Sequence, residues 1–150
     1  MAENRDDLIR HYETTRRELL EALDGLSDSL MMERSLDGWS ITDHLMHLAF
    51  WDDLRAAEVV RISAGHDSVL RMSSEQDEAM NELATLLRRN VSVEQARWEL
   101  TTSRQRLLDA LAVATERALD GSRYGEAGLV SGHEAEHTGW IKRWRSEKGI

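Results

Sequence analysis

Ser40-Ile41-Thr42-Asp43-His44-Leu45-Met46-His47-Leu48-Ala49-Phe50-Trp51 is the stretch on which the fold turns. It follows the turn Asp37-Gly38-Trp39 and opens on a hydroxyl residue suited to capping a helix. Ile41, Leu45, Leu48, Trp51 and Val59 then recur at helical spacing toward Gly65, which predicts one long helix.

The same period holds on both sides. Upstream, Leu8, Tyr12, Thr15, Leu19, Ala22 and Leu26 mark one face of a helix from about Asp6 to Leu23, with Gly25 near its end. Downstream, Ser73-Ser74 can cap a shorter helix whose Met80, Leu83, Ala84 and Leu87 form a narrow stripe that Asn90 interrupts. Ser92-Val93-Glu94-Gln95 fits a capping box for a helix carrying Val93, Ala96, Leu100, Ser103, Leu107, Leu111 and Ala114. Gly121, Gly125 and Gly128 break the next segment, and a last helix is expected from near Leu129 to before Gly149. No segment alternates as a strand would, and proline is absent. The expectation is an all-α four-helix bundle with a short crossover helix between the second and third long helices, built as one domain over residues 1–150.

Charge and composition exclude several functions. With 28 acidic against 19 basic residues the chain carries a formal −9, a field that repels nucleic acid and anionic membrane surfaces. Lys142, Arg143 and Arg145 are expected on the solvated outer face of the last helix. The polar, acidic N-terminus lacks the apolar stretch of a signal peptide, and no run approaches the roughly 20 apolar residues of a membrane span, so the expected location is the cytoplasm. Without cysteine, a metal site must use nitrogen and oxygen donors.

His133-Glu134-Ala135-Glu136-His137 supplies two such donors one helical turn apart. Projection at about 100° per residue puts Leu129, Val130, His133, His137, Trp140, Ile141 and Trp144 on one apolar face and Thr138 elsewhere. Buried imidazoles need partners, either carboxylates and backbone of neighbouring helices or a metal. A bundle core can add a third imidazole, and His47 is the preferred candidate. His44, one turn earlier, reads as core or as a residue that orients a ligand. His11 and His66 read as surface residues.

Glu134 completes a literal His-Glu-x-x-His, the arrangement in which glutamate is the general base of many zinc peptidases. The downstream glycine and histidine of the extended pattern are missing, and no strand offers itself to an extended peptide, so a solvated or capping carboxylate is the preferred reading. Asp52 projects onto the apolar side of its helix, where an interhelical salt bridge is the common explanation and a ligand-supporting or basic role the alternative. The five tryptophans read as core, with some walling a pocket.

Residues Gly38 to Trp51 and His133 to Ile141 resemble the second-helix and last-helix signatures of the DinB/YfiT-like superfamily. That resemblance implies a four-helix bundle binding a divalent metal, often zinc or nickel, through three histidines, here matched by His47, His133 and His137, and often a homodimer. It implies a small-molecule substrate and, in the thiol-dependent transferases and isomerases of the superfamily, a low-molecular-weight thiol as cosubstrate. Cyclopropane-opening hydrolases are also members, and the resemblance implies a metal-independent resistance protein of that kind as one alternative. A non-catalytic small-molecule-binding stress protein is the alternative from another class. His44 departs from the pattern, because an apolar residue is common at its position.

Overall fold

A computed structural model describes residues 2–70, 73–88 and 90–150 of the chain. Helix α1 (Arg5–Ala22) starts at Asn4, whose side chain accepts from the Asp7 amide, and Asp6 and Asp7 lie at the positive end of its dipole. A short helix α2 (Asp28–Met32), capped by Ser27, was not expected from the pattern and buries Met31. Helix α3 (Ile41–Ser63) opens on a reciprocal capping box: the Ser40 hydroxyl accepts from the Asp43 amide, and the Asp43 carboxylate accepts from the Ser40 amide. Helix α4 (Ser74–Arg88) begins after Ser73, which accepts from the Gln76 amide. Helix α5 (Val93–Ala112) begins after Ser92, which accepts from the Gln95 amide.

Helix α6 spans His133–Lys148, so it starts later than the apolar period suggested. Gly125 and Gly128 take positive φ of 66° and 62°, a 3₁₀ segment occupies Gly121–Ala127, and the Ser131 hydroxyl accepts from the His133 amide. Leu129 therefore packs in the core from a loop, while Val130 is exposed. The face of α6 is also rotated from its expected position. Glu134, His137, Thr138, Ile141 and Trp144 are buried, whereas Trp140 is 39% exposed.

The core has two apolar clusters. One holds Leu8, Tyr12, Val59, Ile62, Leu107, Leu111 and Leu129; the other holds Leu19, Leu23, Ile41, Leu45, Leu100, Ile141 and Trp144. Helix α1 enters the first cluster at its N-terminal end and α3 and α5 enter it at their C-terminal ends, so α3 and α5 run parallel to each other and antiparallel to α1 and α6. Parallel neighbours need a crossover, and α4 supplies it, packed on α3 and tied there by the Trp51 indole donating to Asn81 Oδ1 at 2.9 Å. Its expected stripe packs only in part: Ala84 is buried, but Leu83 and Leu87 are exposed. Arg145 does not stay on the outer face with Lys142 and Arg143; its Nη1 donates to the Ala22 and Asp24 carbonyls at the end of α1. Among the described residues no helix is long and apolar enough to cross a membrane, and the β-structure is limited to isolated bridges.

Candidate metal centre

Between the two apolar clusters lies a charged layer. Arg16 of α1, Asp52 of α3, Arg104 of α5 and Glu134 of α6 meet there, one residue from each long helix. Arg104 Nε and Nη2 donate to the two Asp52 oxygens at 2.9 and 3.1 Å, and Nη2 also donates to Glu134 Oε2 at 2.8 Å. Arg16 donates through Nε to Glu134 Oε1 at 2.8 Å and through Nη2 to Asp52 Oδ2 at 2.9 Å. The spare guanidinium hydrogens reach the Leu100 and Tyr12 carbonyls, and Thr15 donates to Glu134 Oε2 at 2.9 Å. Two positive and two negative groups thus cancel, with every carboxylate oxygen bonded, which is what a buried ionic cluster requires.

Glu134 is therefore neither a solvated nor a capping carboxylate. It is 5% exposed, and although burial by itself would raise its carboxyl, the guanidiniums of Arg104 and Arg16 and the Thr15 bond hold it below the ordinary glutamate range. A carboxylate so held is a poor proton acceptor, which removes the peptidase role. Asp52 is the interhelical salt bridge that its apolar-side position suggested. The sequence reading missed Arg16 and Arg104. Both lie on the apolar stripes of their helices, the same irregularity that marked Asp52.

Glu134 is bonded to α1 and α5, and the residue before it is His133. His133 Nε2 lies 2.9 Å from His47 Nε2 and 3.1 Å from His137 Nε2. The expected trio is thus brought together, with one donor atom from each of His47, His133 and His137 within 4.8 Å of one another. His44 stands beside the trio, its Nδ1 2.7 Å from His137 Nδ1. Of the two histidines read as surface residues, His66 is exposed, but His11 is partly buried and its Nε2 lies 2.9 Å from the Ser131 carbonyl oxygen.

Burial strips the imidazoles of their charge. Desolvation, then the proximity of His133 and His47, lowers His137 to about 2; desolvation, then His133 and His44, lowers His47 to about 3. Desolvation lowers His44 to about 4 and also lowers His133. At neutral pH the ring nitrogens therefore keep their lone pairs. Only one proton can serve three converging Nε2 atoms, and His47 Nδ1 is buried without a partner among the described residues. A divalent cation accepts all three lone pairs at once, and nitrogen donors bound at about 2.0–2.1 Å would stand only slightly farther apart than the two His133 contacts do. An all-imidazole set suits zinc or nickel rather than calcium or magnesium, which prefer oxygen.

Aromatic rings enclose the cluster. Trp39 lies 5.0 Å from His44 and 5.3 Å from His47 between ring centroids, Trp140 lies 4.7 Å from His137, and Trp51 lies 6.4 Å from both His47 and His133. On the His133 side opens a cavity of about 210 Å³ lined by Tyr12, Trp51, Arg55, Asn81, Ser131 and the Asp52–Arg104–Glu134 layer. Of the three clustered imidazoles, His133 is the one that lines it.

This architecture has known counterparts. The family model described as the DinB superfamily matches residues 11–141. The chain belongs to the DinB superfamily. A solved structure of an uncharacterised protein from Escherichia coli UTI89 is similar to this DinB-like chain at 16% identity and a TM-score of 0.81, covering 97% of this chain and 95% of that one. At that identity the likeness concerns the fold. No protein of curated function matches. The DinB fold thus accounts for the bundle and its crossover, and the three-histidine cluster sits where its second and last long helices face each other.

Proposed function

We propose that this DinB-superfamily protein is a metal-dependent enzyme, a thiol-dependent transferase or hydrolase acting on a small electrophile at His47, His133 and His137. What carries the reading is the convergence of three neutral imidazole Nε2 atoms beside a cavity of about 210 Å³. A bound zinc or nickel ion would act as a Lewis acid and lower the pKa of a thiol or water. The chain's own residues do the rest. His47, His133 and His137 would hold the ion; the Arg16–Asp52–Arg104–Glu134 layer fixes the first turn of α6 and with it His133; Trp39, Trp51 and Trp140 keep bulk water from the imidazoles. With no cysteine in the chain, the thiol has to arrive as a low-molecular-weight cosubstrate.

The proposal includes a cytoplasmic homodimer; Leu83, Leu86 and Leu87, left exposed by α4, favour an association surface. Elemental analysis of untagged protein and of His137→Ala tests the site. One equivalent of transition metal in the first and none in the second is expected, and full occupancy in the variant overturns it. Turnover of a thiol and electrophile panel that a chelator abolishes is expected of the enzyme; saturable binding without turnover would leave a binding protein instead.

A further inference from the structure

The cavity beside His133 has two lining cations, and they differ in one respect. Arg104 has all three guanidinium nitrogens engaged, by Asp52, Glu134 and the Tyr12 carbonyl. Arg55 has no carboxylate within ion-pair distance among the described residues. Its Nη1 donates to the Gly128 carbonyl at 2.5 Å and the Leu129 carbonyl at 3.4 Å, and among the described residues Nε and Nη2 have no hydrogen-bond partner. Glu58, one turn along α3, pairs through Oε1 with Arg61 and makes no ion pair with Arg55.

Two backbone carbonyls thus fix the Arg55 guanidinium in place, so a ligand meeting it loses little side-chain entropy. A planar, preset guanidinium matches an oxyanion in two-point geometry. Of the three carboxylates on the cavity wall, Asp52 and Glu134 are compensated by Arg16 and Arg104, and Asp77 of α4 is partly exposed and therefore screened by solvent. The chain's formal −9 acts against anions at long range, but it is damped beyond a Debye length of about 8 Å, so the local cation governs the bound state.

We infer that the cavity takes a small molecule bearing one oxyanion group, seated on Arg55, with its reacting end toward His133. This rests on the three-histidine reading above and gives its substrate or cosubstrate a charge. Arg55 acts as a specificity-determining residue, and the chemistry it recognises is shared by carboxylates and sulfonates.

A thiol series with one reactive end and different tails tests the inference: 3-mercaptopropionate, 2-mercaptoethanesulfonate, 2-mercaptoethanol and cysteamine. Each is titrated into cobalt-loaded protein, followed by visible absorbance, and into metal-free protein, followed by tryptophan fluorescence, since Trp51 lines the cavity. At least one anionic thiol should bind about tenfold tighter than the alcohol or the amine, and the order of the two anions tells planar from tetrahedral oxyanions. Arg55→Gln should level the series, and Arg55→Lys should keep part of the preference. Equal binding of all four tails by the unaltered protein, or tightest binding of cysteamine, overturns the inference whether or not Arg55→Gln folds. If the thiol reading alone fails, metal loading tightens none of the four, and the anion preference survives in the metal-free titration.

Discussion

His44 and His137 face each other Nδ1 to Nδ1 at 2.7 Å, so one of these nitrogens must carry the bridging proton. If His137 Nε2 offers its lone pair toward His47 and His133, the proton sits on His137 Nδ1 and His44 Nδ1 accepts it. His44 then carries its own proton on Nε2, an atom buried without a partner among the described residues. That exposed cost is consistent with a residue held for what it does to its neighbour.

His44→Leu should therefore weaken metal binding by about 10- to 100-fold while leaving the fold in place, the usual effect of losing a partner that orients a ligand imidazole. Competition against a chromophoric chelator measures it, with circular dichroism as the control for folding. Unchanged affinity would remove His44 from the site.

Glu134→Gln keeps the shape of the side chain and removes its charge, leaving Arg16 and Arg104 undercompensated in the buried layer. The expected loss is about 3–5 kcal/mol in urea unfolding. Asp53→Asn is the contrast: it breaks the partly exposed pair with Arg106 and should cost no more than about 1 kcal/mol. Similar losses in the two variants would deny the buried layer its structural weight.

Acid should destabilise the metal-free protein. The folded-state values of His44, His47 and His137 lie at about 4, 3 and 2, below the ordinary 6.5 of the unfolded chain, so below pH 6.5 the unfolded state binds more protons. Stability is full above about 6.5 and falls as the pH drops toward these values. On the order of 2 kcal/mol or more should be lost between pH 7 and 5. Chelator-treated protein followed by urea unfolding at each pH gives the slope, and a flat profile contradicts the burial of neutral imidazoles.

Ser40→Ala removes one half of the capping box at the start of α3 and should cost about 1 kcal/mol. Because His44 and His47 lie in the first two turns of that helix, fraying there should also lower metal affinity. Thermal unfolding and chelator competition on the same sample check both, and a loss of stability with no loss of affinity would separate cap from site.

Local chemistry made much of this legible before any tertiary contact was known. Ser40, Ser73 and Ser92 lie at helix starts because a side-chain oxygen close to free amides is a short-range effect. The start of α6 was misplaced because Leu129 and Val130 continue the apolar period while the backbone around Gly128 does not continue the helix. Helix α2 is five residues long, too short for periodicity to register.

Burial of Glu134 and Thr138 was illegible for a different reason. Which flank of α6 turns inward is set by the guanidiniums of Arg16 and Arg104, 118 and 30 residues away in sequence.

The sequence by itself determined that His133 and His137 share a helix side, that His44 and His47 lie on another helix, and that the helices form a bundle, because 3.6-residue periodicity and end-capping act within a few residues. Only the tertiary structure decided that His47 meets His133 while His44 meets His137, that Glu134 is committed to two arginines, and that Arg55, beside the cavity, makes no ion pair among the described residues. Those outcomes depend on how four helix faces settle against one another, where charges far apart in the chain either find partners or do not.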